Sequence, residues 1–255
     1  MTKLEAEFLT DRGKVRQHNE DAVGVFQNEV GLLAIVADGM GGHLAGDVAS
    51  GMTIAMFETL WKEAENVETP DAAEKWLKEN IKKVNKALHE HALAHSNCSG
   101  MGTTFVGAIC TSSFATIGHI GDSRCYLYNN DGFKQVTEDH SLVNELVRSG
   151  QISKEDAEHH PRKNVLLRAL GTEDTVSIDL KTVVLEEEDQ LLLCSDGLSN
   201  KVSDDELGAA LKAEASLKQI VTELVELANE NGGEDNISVI IVKKTPVVLN
   251  GDGPC

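Results

Sequence analysis

Apolar residues gather into short unbroken runs bounded by glycine and aspartate, at residues 32–37, 103–110, 114–120, 190–194 and 237–242. Runs this short, without polar alternation, predict strands buried on both faces. Weaker strand candidates lie at 5–9, 22–26, 125–128 and 178–184. Elsewhere the apolar positions recur at helical spacing. Val48, Met52, Ala55, Met56 and Leu60 form one stripe, and Leu77, Ile81, Val84 and Leu88 form a second. Leu142, Leu146 and Val147 mark a third, short one; Leu217, Val221, Leu224 and Ala228 make the fourth. Each stripe places its apolar side chains on one helix face. The order is therefore strands, two helices, strands, an irregular helical insert, strands and two helices. Strands outnumber helices and many are joined by short turns. That favours an antiparallel sandwich faced by helices over a parallel βαβ sheet. Residues 138–171 are polar and irregular, and read as an excursion from the sandwich, not a second domain.

Length changes this picture little: 255 residues suit one domain over residues 1–245, with a C-terminal tail at 246–255. Charge changes it more. There are 42 acidic and 23 basic residues, a net charge of −19, and no Lys/Arg run. Nucleic acid and anionic membranes are disfavoured as partners, because the field repels polyanions. The same field would repel a phosphorylated substrate unless cations offset it locally. Residues 1–10 lack the apolar core of a signal peptide, and no stretch of ~20 apolar residues occurs, so membrane insertion is not expected. Cys98, Cys110, Cys125, Cys194 and Cys255 form no C-x-x-C pair and are expected to be reduced thiols of a cytoplasmic protein.

The informative feature is the placement of single aspartates. Asp38 follows the run Leu-Leu-Ala-Ile-Val-Ala and precedes Gly39-Met40-Gly41-Gly42. Asp122 follows Phe-Ala-Thr-Ile-Gly-His-Ile-Gly; Asp196 follows Gln-Leu-Leu-Leu-Cys-Ser and precedes Gly197; Asp235 stands just before Ile-Ser-Val-Ile-Ile. Each falls at the end of a buried strand, with glycine beside or near it. Strand ends bring residues distant in sequence to one edge, and glycine permits close backbone approach there. Four carboxylates so gathered would repel one another, and a hard divalent cation such as Mg²⁺ or Mn²⁺ would relieve the conflict. Singly, each Asp-Gly or Gly-Asp is an ordinary turn pair; the repetition at four strand ends is what carries weight. Arg16, just upstream of Glu20 and Asp21, adds a guanidinium able to grip phosphate oxygens.

Together these segments resemble the metal-dependent protein phosphatases of type 2C. The pieces are Arg16-x-x-Asn19-Glu20-Asp21, Ala37-Asp38-Gly39-Met40-Gly41-Gly42-His43, Gly102-Thr103-Thr104, Gly121-Asp122-Ser123-Arg124, Ser195-Asp196-Gly197 and Glu234-Asp235-Asn236. They occur in the family's order across nearly the whole chain. Asp38-Gly-Met-Gly-Gly-His-x-Ala-Gly-Asp47 and the stretch from His160 to Gly171 resemble the branch from Gram-positive bacteria, whose members oppose a membrane-anchored serine/threonine kinase with PASTA repeats. The resemblance implies an α+β fold, the αββα sandwich of two antiparallel sheets with a helix pair on each outer side and a flap at 138–171. It implies hydrolysis of phosphoserine and phosphothreonine by a hydroxide bridging two cations, Mn²⁺ or Mg²⁺, with phosphorylated proteins as partners; a monomer in the cytoplasm is expected. Carried over by position, Asp38 and the Gly39 carbonyl, with Asp196 and Asp235, would hold two tightly bound cations. Asp122 would share a third, weaker one with Asp196. Glu20 and Asp21 would orient water, and Arg16 would clamp the phosphate. One departure concerns the leaving-group acid: Met40 stands where eukaryotic relatives place histidine, and His43 is the candidate in its stead.

Other readings carry less. Gly121-Asp122-Ser123 resembles the start of the Gly-Asp-Ser hydrolases, but the last histidine is His160 and no Asp-x-x-His follows. His91 and His95 have zinc-helix spacing, yet Ala92 stands where the glutamate should be, and partial burial at a helix end is expected instead. A catalytically weak relative serving as a binding or scaffold module remains the alternative from another functional class.

Overall fold

A computed structural model describes residues 2–41 and 45–246. Strands β1 (Thr2–Asp11), β2 (Asp21–Asn28) and β3 (Gly31–Met40) lead into helices α1 (Ala45–Lys62) and α2 (Pro70–Ala94). Next come β4 (Gly102–Thr103), β5 (Phe105–Cys110), β6 (Phe114–Ile120), β7 (Arg124–Asn129) and β8 (Gly132–Gln135). Two short helices follow, α3 (Leu142–Arg148) and α4 (Lys154–Glu158), then β9 (Asp179–Val184) and β10 (Gln190–Cys194). Helices α5 (Asp196–Ser199), α6 (Asp204–Lys212) and α7 (Leu217–Glu230) precede the last strand, β11 (Ile237–Pro246). One sheet runs β1-β11-β10-β7-β8; the other runs β2-β3-β5-β6-β9, with β4 paired to β3.

Three apolar layers explain the unbroken runs in the sequence. Along β3, Leu33 and Ile35 pack toward α1 and α2 with Phe57, Trp61, Leu77 and Ile81. Their neighbours Leu32, Ala34 and Val36 enter the layer between the sheets with Val106, Leu191 and Ile240. Along β11, Ile240 and Val242 join that middle layer, while Val239 and Ile241 pack toward α6 and α7 with Leu207, Val221 and Leu224. Successive side chains of a strand point to opposite faces, so a strand with helices on one side and a sheet on the other is apolar at every position. The antiparallel αββα sandwich is thus the architecture of the protein.

Four elements differ from the sequence expectation. The run 103–110 is divided at Thr104, whose N–H donates to the Asp38 carbonyl (2.8 Å) while its hydroxyl accepts from the Asp38 N–H (2.9 Å). Strand β8 and helices α5 and α6 carried no apolar signature of their own. Helix α6 buries only Leu207 and Leu211, too few for a stripe; its clearest signal is a capping box between Ser203 and Glu206. Residues 138–171 link β8 toward β9 and contain α3 and α4, tied back by bridges Ser141–Leu166 and Thr103–Leu170. His43 and residues 247–255, including Cys255, lie outside the described residues. Cys98, Cys110, Cys125 and Cys194 are free thiols, all buried.

Candidate active site

The ends of β3 and β2 fix the first two carboxylates, because Asp38 and Asp21 face one another in the antiparallel ladder. Glycine after Asp38 is a steric requirement. The N–H of Gly39 donates to the Glu20 carbonyl (3.1 Å), and a Cβ there would collide with the Glu20 and Gly46 carbonyls. From Asp38 a hydrogen-bonded link runs on through the Thr104 hydroxyl to that of Ser123 (2.6 Å), next to Asp122. Asp196 opens α5 directly after β10. Asp235 stands two residues before β11, and the turn carrying it packs so closely on Asp196-Gly197 that any side chain at position 197 would strike the Asn236 carbonyl.

Burial and mutual repulsion raise the pKa values of these groups. Burial, then the charges of Asp21, Asp196, Asp122 and Asp235, hold Asp38 well above the usual carboxylate range. Burial pushes Asp21 up to about 7, against a hydrogen bond from Ser195. Asp122 is pushed up to about 8 by burial and by Asp196. Asp196 is also raised, by burial first and then by Asp235. Burial raises Glu20 too, with Arg16 opposing it. The structure therefore brings Asp21, Asp38, Asp122, Asp196 and Asp235 into one electrostatic group with Glu20 at its margin. Arg16 is at the same place: its Nη2 donates to Asp235 Oδ2 at 2.8 Å.

These residues fit divalent cations by one direct observation. Asp21 Oδ1 and Asp196 Oδ1 are buried and have no hydrogen-bond partner among the described residues. Buried carboxylate oxygens without donors need a counter-charge or a proton. As they stand, no three His, Cys, Asp or Glu side chains among the described residues converge into a chelate. Protein partners hold several of the oxygens apart. Asn200 donates to Asp196 Oδ2 (3.1 Å), Ser195 to Asp21 Oδ2 (2.7 Å), and Arg16 and the Asn236 N–H to the two oxygens of Asp235.

Several contributors had no role legible in the sequence, although Arg124 stood within one of the quoted motifs. Arg124 donates to both oxygens of Asp139 (2.7–3.1 Å), closing one wall beside Asp122. His140 grips the turn before Asp122 twice: its backbone N–H donates to the Gly121 carbonyl (2.7 Å), and its Nδ1 accepts from the Gly121 N–H (3.1 Å). A groove of about 1070 Å³ leads away from Asp122 and Asp196, walled by α3 and α4 on one side and residues 199–206 on the other. His91 and His95 are elsewhere, stacked with ring centroids 4.0 Å apart at the end of α2, with His95 exposed.

Strand-end carboxylates on a four-layered sandwich define the class, and comparison with known proteins agrees. The chain belongs to the protein phosphatase 2C family, whose model matches residues 11–240. It is 50% identical over 242 residues to the serine/threonine phosphatase stp of Listeria welshimeri, covering 94% of this chain and 96% of that one. It is 38% identical over 240 residues to the protein phosphatase PhpP of Streptococcus pneumoniae, covering 94% and 97% of the two chains. The crystal structure of a serine/threonine phosphatase from Staphylococcus aureus superposes with a TM-score of 0.89 at 41% identity, over 94% of this chain and 95% of that one. The catalytic domain of the phosphatase PstP, solved with two manganese ions, superposes with a TM-score of 0.84 at 32% identity, over 96% and 100%. The protein is accordingly a serine/threonine phosphatase, a hydrolase acting on phosphoproteins. Among its described residues no helix is long and apolar enough to cross a membrane.

Proposed function

We propose that this phosphatase is metal-dependent and that the strand-end cluster is its metal centre. Asp38, the Gly39 carbonyl, Asp196 and Asp235 would hold two Mn²⁺ or Mg²⁺ ions, and Asp122 with Asp196 a weaker third. The observation that carries the reading is the pair of buried, unpartnered oxygens on Asp21 and Asp196 inside a group of carboxylates with raised pKa values. The two manganese ions of the PstP structure support it. Bound cations would supply charge neutralisation and an acidified water as nucleophile.

The chain's own residues leave attack on phosphorus to water. The Thr104, Ser123 and Ser195 hydroxyls beside the cluster are engaged in hydrogen bonds with one another or with Asp38 and Asp21. Burial pushes Cys110 and Cys194 up to about 12 and Cys125 also well up, so none offers a thiolate. Arg16 binds the phosphate: a guanidinium has five donors, and one is spent on Asp235. Glu20 at the rim and the buried Asp21, the first residue of β2, hold and orient water. The catalytic domain spans residues 1–245, with 138–171 a flap over the groove, and the enzyme works as a cytoplasmic monomer against a membrane-anchored serine/threonine kinase.

Hydrolysis of p-nitrophenyl phosphate, titrated with MnCl₂ after chelator treatment, tests the centre. Parent protein should depend on manganese; Asp38→Ala should remain folded yet lose activity by at least about a hundredfold. Activity near the parent's in Asp38→Ala would overturn the reading. Comparison of phosphoproteomes with and without the protein tests the kinase relationship.

A further inference from the structure

The loop that carries Arg16 has almost nothing apolar to hold it. Arg12, Lys14, Val15, Arg16, Gln17 and His18 are all exposed. What binds it is the turn from Gly233 to Asn236. The Gly233 carbonyl accepts from the N–H groups of Lys14 (2.7 Å) and Val15 (3.3 Å). Asn236 then supplies the side-chain bonds. Its Nδ2 donates to the Arg12 carbonyl and the His18 carbonyl, both at 2.9 Å, and its Oδ1 accepts the Glu20 N–H at 2.8 Å. Asn236 itself is only 4% exposed. Both amide hydrogens and the carbonyl oxygen are spent on one loop, and they grip it on either side of Arg16. Only an amide can do this, because the loop presents two acceptors and one donor.

The same residue registers that loop against the acids. Asn236 follows Asp235, the partner of Arg16, and its own N–H donates to Asp235 Oδ1 (2.9 Å). Its carbonyl lies in the space left by the missing Cβ of Gly197, beside Asp196. Gly13 takes a left-handed conformation (φ +76°) where a Cβ would strike the Asp235 carbonyl, so the loop passes directly over this turn. Three segments widely separated in sequence meet at Asn236, one of them through its backbone carbonyl.

We infer that Asn236 is the positioning residue for Arg16, fixing the guanidinium at the distance from the carboxylate cluster at which it meets a substrate phosphate. The inference rests on the reading of Arg16 as the phosphate-binding arginine. Without the amide, the loop keeps its two bonds to the Gly233 carbonyl but loses those at Arg12, His18 and Glu20. Arg16 would then sample many positions, and phosphate affinity would fall while the acids stayed in place. Small misplacements of a binding group are costly in this way.

The test uses the full chain with manganese at saturation, in parent, Asn236→Ala, Asn236→Asp, Arg16→Ala and the Asn236→Ala/Arg16→Ala double variant. KM for a phosphothreonine peptide, kcat, the inhibition constant of inorganic phosphate and the half-saturating manganese concentration are measured for each. Asn236→Asp keeps the acceptor for Glu20 but puts an oxygen in place of the two donors and adds a negative charge beside Asp235, so it serves for KM and phosphate inhibition if Asn236→Ala folds poorly. Both should raise KM and the phosphate inhibition constant on the order of tenfold, with half-saturating manganese unchanged in Asn236→Ala. In the Arg16→Ala background the loss of Asn236 should raise neither further. Trypsin should also cut faster after Arg12, Lys14 and Arg16 in the Asn236 variants. An equal rise in KM in both backgrounds would overturn the inference, as would a change confined to manganese half-saturation or to thermal stability. If Arg16→Ala raises KM and the Asn236 variants do not, this inference fails alone. If Arg16→Ala leaves KM and phosphate inhibition unchanged, the phosphate-binding reading fails and the inference goes with it.

Discussion

The Ser195 hydroxyl donates a 2.7 Å hydrogen bond to Oδ2 of Asp21, 174 positions earlier in the chain. The same oxygen accepts the N–H of Ser238 at 3.0 Å, so one hydroxyl joins β2, the end of β10 and β11 beneath the acids. Both partners are buried, and removal of the hydroxyl leaves Asp21 Oδ2 and the Ser238 N–H without it. Ser195→Ala should therefore cost about 1–3 kcal/mol of stability, read by urea unfolding. It should also lower kcat, because Asp21 is then free to turn. A stability loss within about 0.5 kcal/mol of zero would show that the bond contributes little.

A second prediction concerns the metal-free protein. Burial and four neighbouring carboxylates oppose ionisation of Asp38. Replacing Asp38 with Asn removes a charge from that group while keeping its size. Chelator-treated Asp38→Asn should melt higher than chelator-treated parent, by about 2–4 °C for each kcal/mol of repulsion relieved. Manganese should raise the parent's melting temperature and move the variant's little. Identical melting temperatures without metal would mean that the carboxylates repel one another less than their burial implies.

What could be read beforehand follows from how each feature is encoded. The apolar runs at β3, β5, β6, β10 and β11 were legible because helices cover one face of those strands and the opposing sheet covers the other. Asp38, Asp122, Asp196 and Asp235 were legible because each interrupts such a run. Thr104, Ser195 and Asn236 stood in the sequence only as members of motifs, with no role attached, and His140 did not stand out at all. Their work is done by hydrogen bonds to Asp38, Asp21, the 12–20 loop and Gly121, and a bond across 66 or 174 residues leaves no period in the sequence. Helix α5 was hidden for a related reason: its single turn begins on Asp196 and buries only Gly197 and Leu198.

Residues 138–171 offer a third prediction. Val165 and Leu167 are 41% and 52% exposed, just after Lys163 and Asn164, which line the groove leading from Asp122. Apolar side chains so placed contact a protein substrate more readily than a small ester. Leu167→Ala should change kcat/KM on phosphopeptides by up to about tenfold, according to their sequence, and on p-nitrophenyl phosphate by less than about twofold. Equal losses on both substrates would mark Leu167 as structural.

The last prediction concerns His119, which is 2% exposed on β6 with its ring 4.6 Å from that of His140. Burial and then the repulsion of His140 push its pKa down to about 4, while Asp139 and Asp179 pull the other way. An unfolded histidine titrates near 6.5. As pH falls between those values the unfolded chain takes up a proton that the folded protein refuses. The neutral His119 thus contributes its full share of stability above about pH 6.5 and loses it progressively toward pH 4, below which the loss levels off. The complete loss is on the order of 3 kcal/mol. The carboxylates with raised pKa values act with the opposite sign, since acid relieves them, so the parent's curve alone would mix the two. The difference between parent and His119→Phe separates them. In chelator, urea unfolding at pH 7.5 and pH 4.5 should show the parent losing about 2–3 kcal/mol more than the variant. Parallel losses would mean that His119 takes up its proton without disturbing the fold, and that burial is not what governs it.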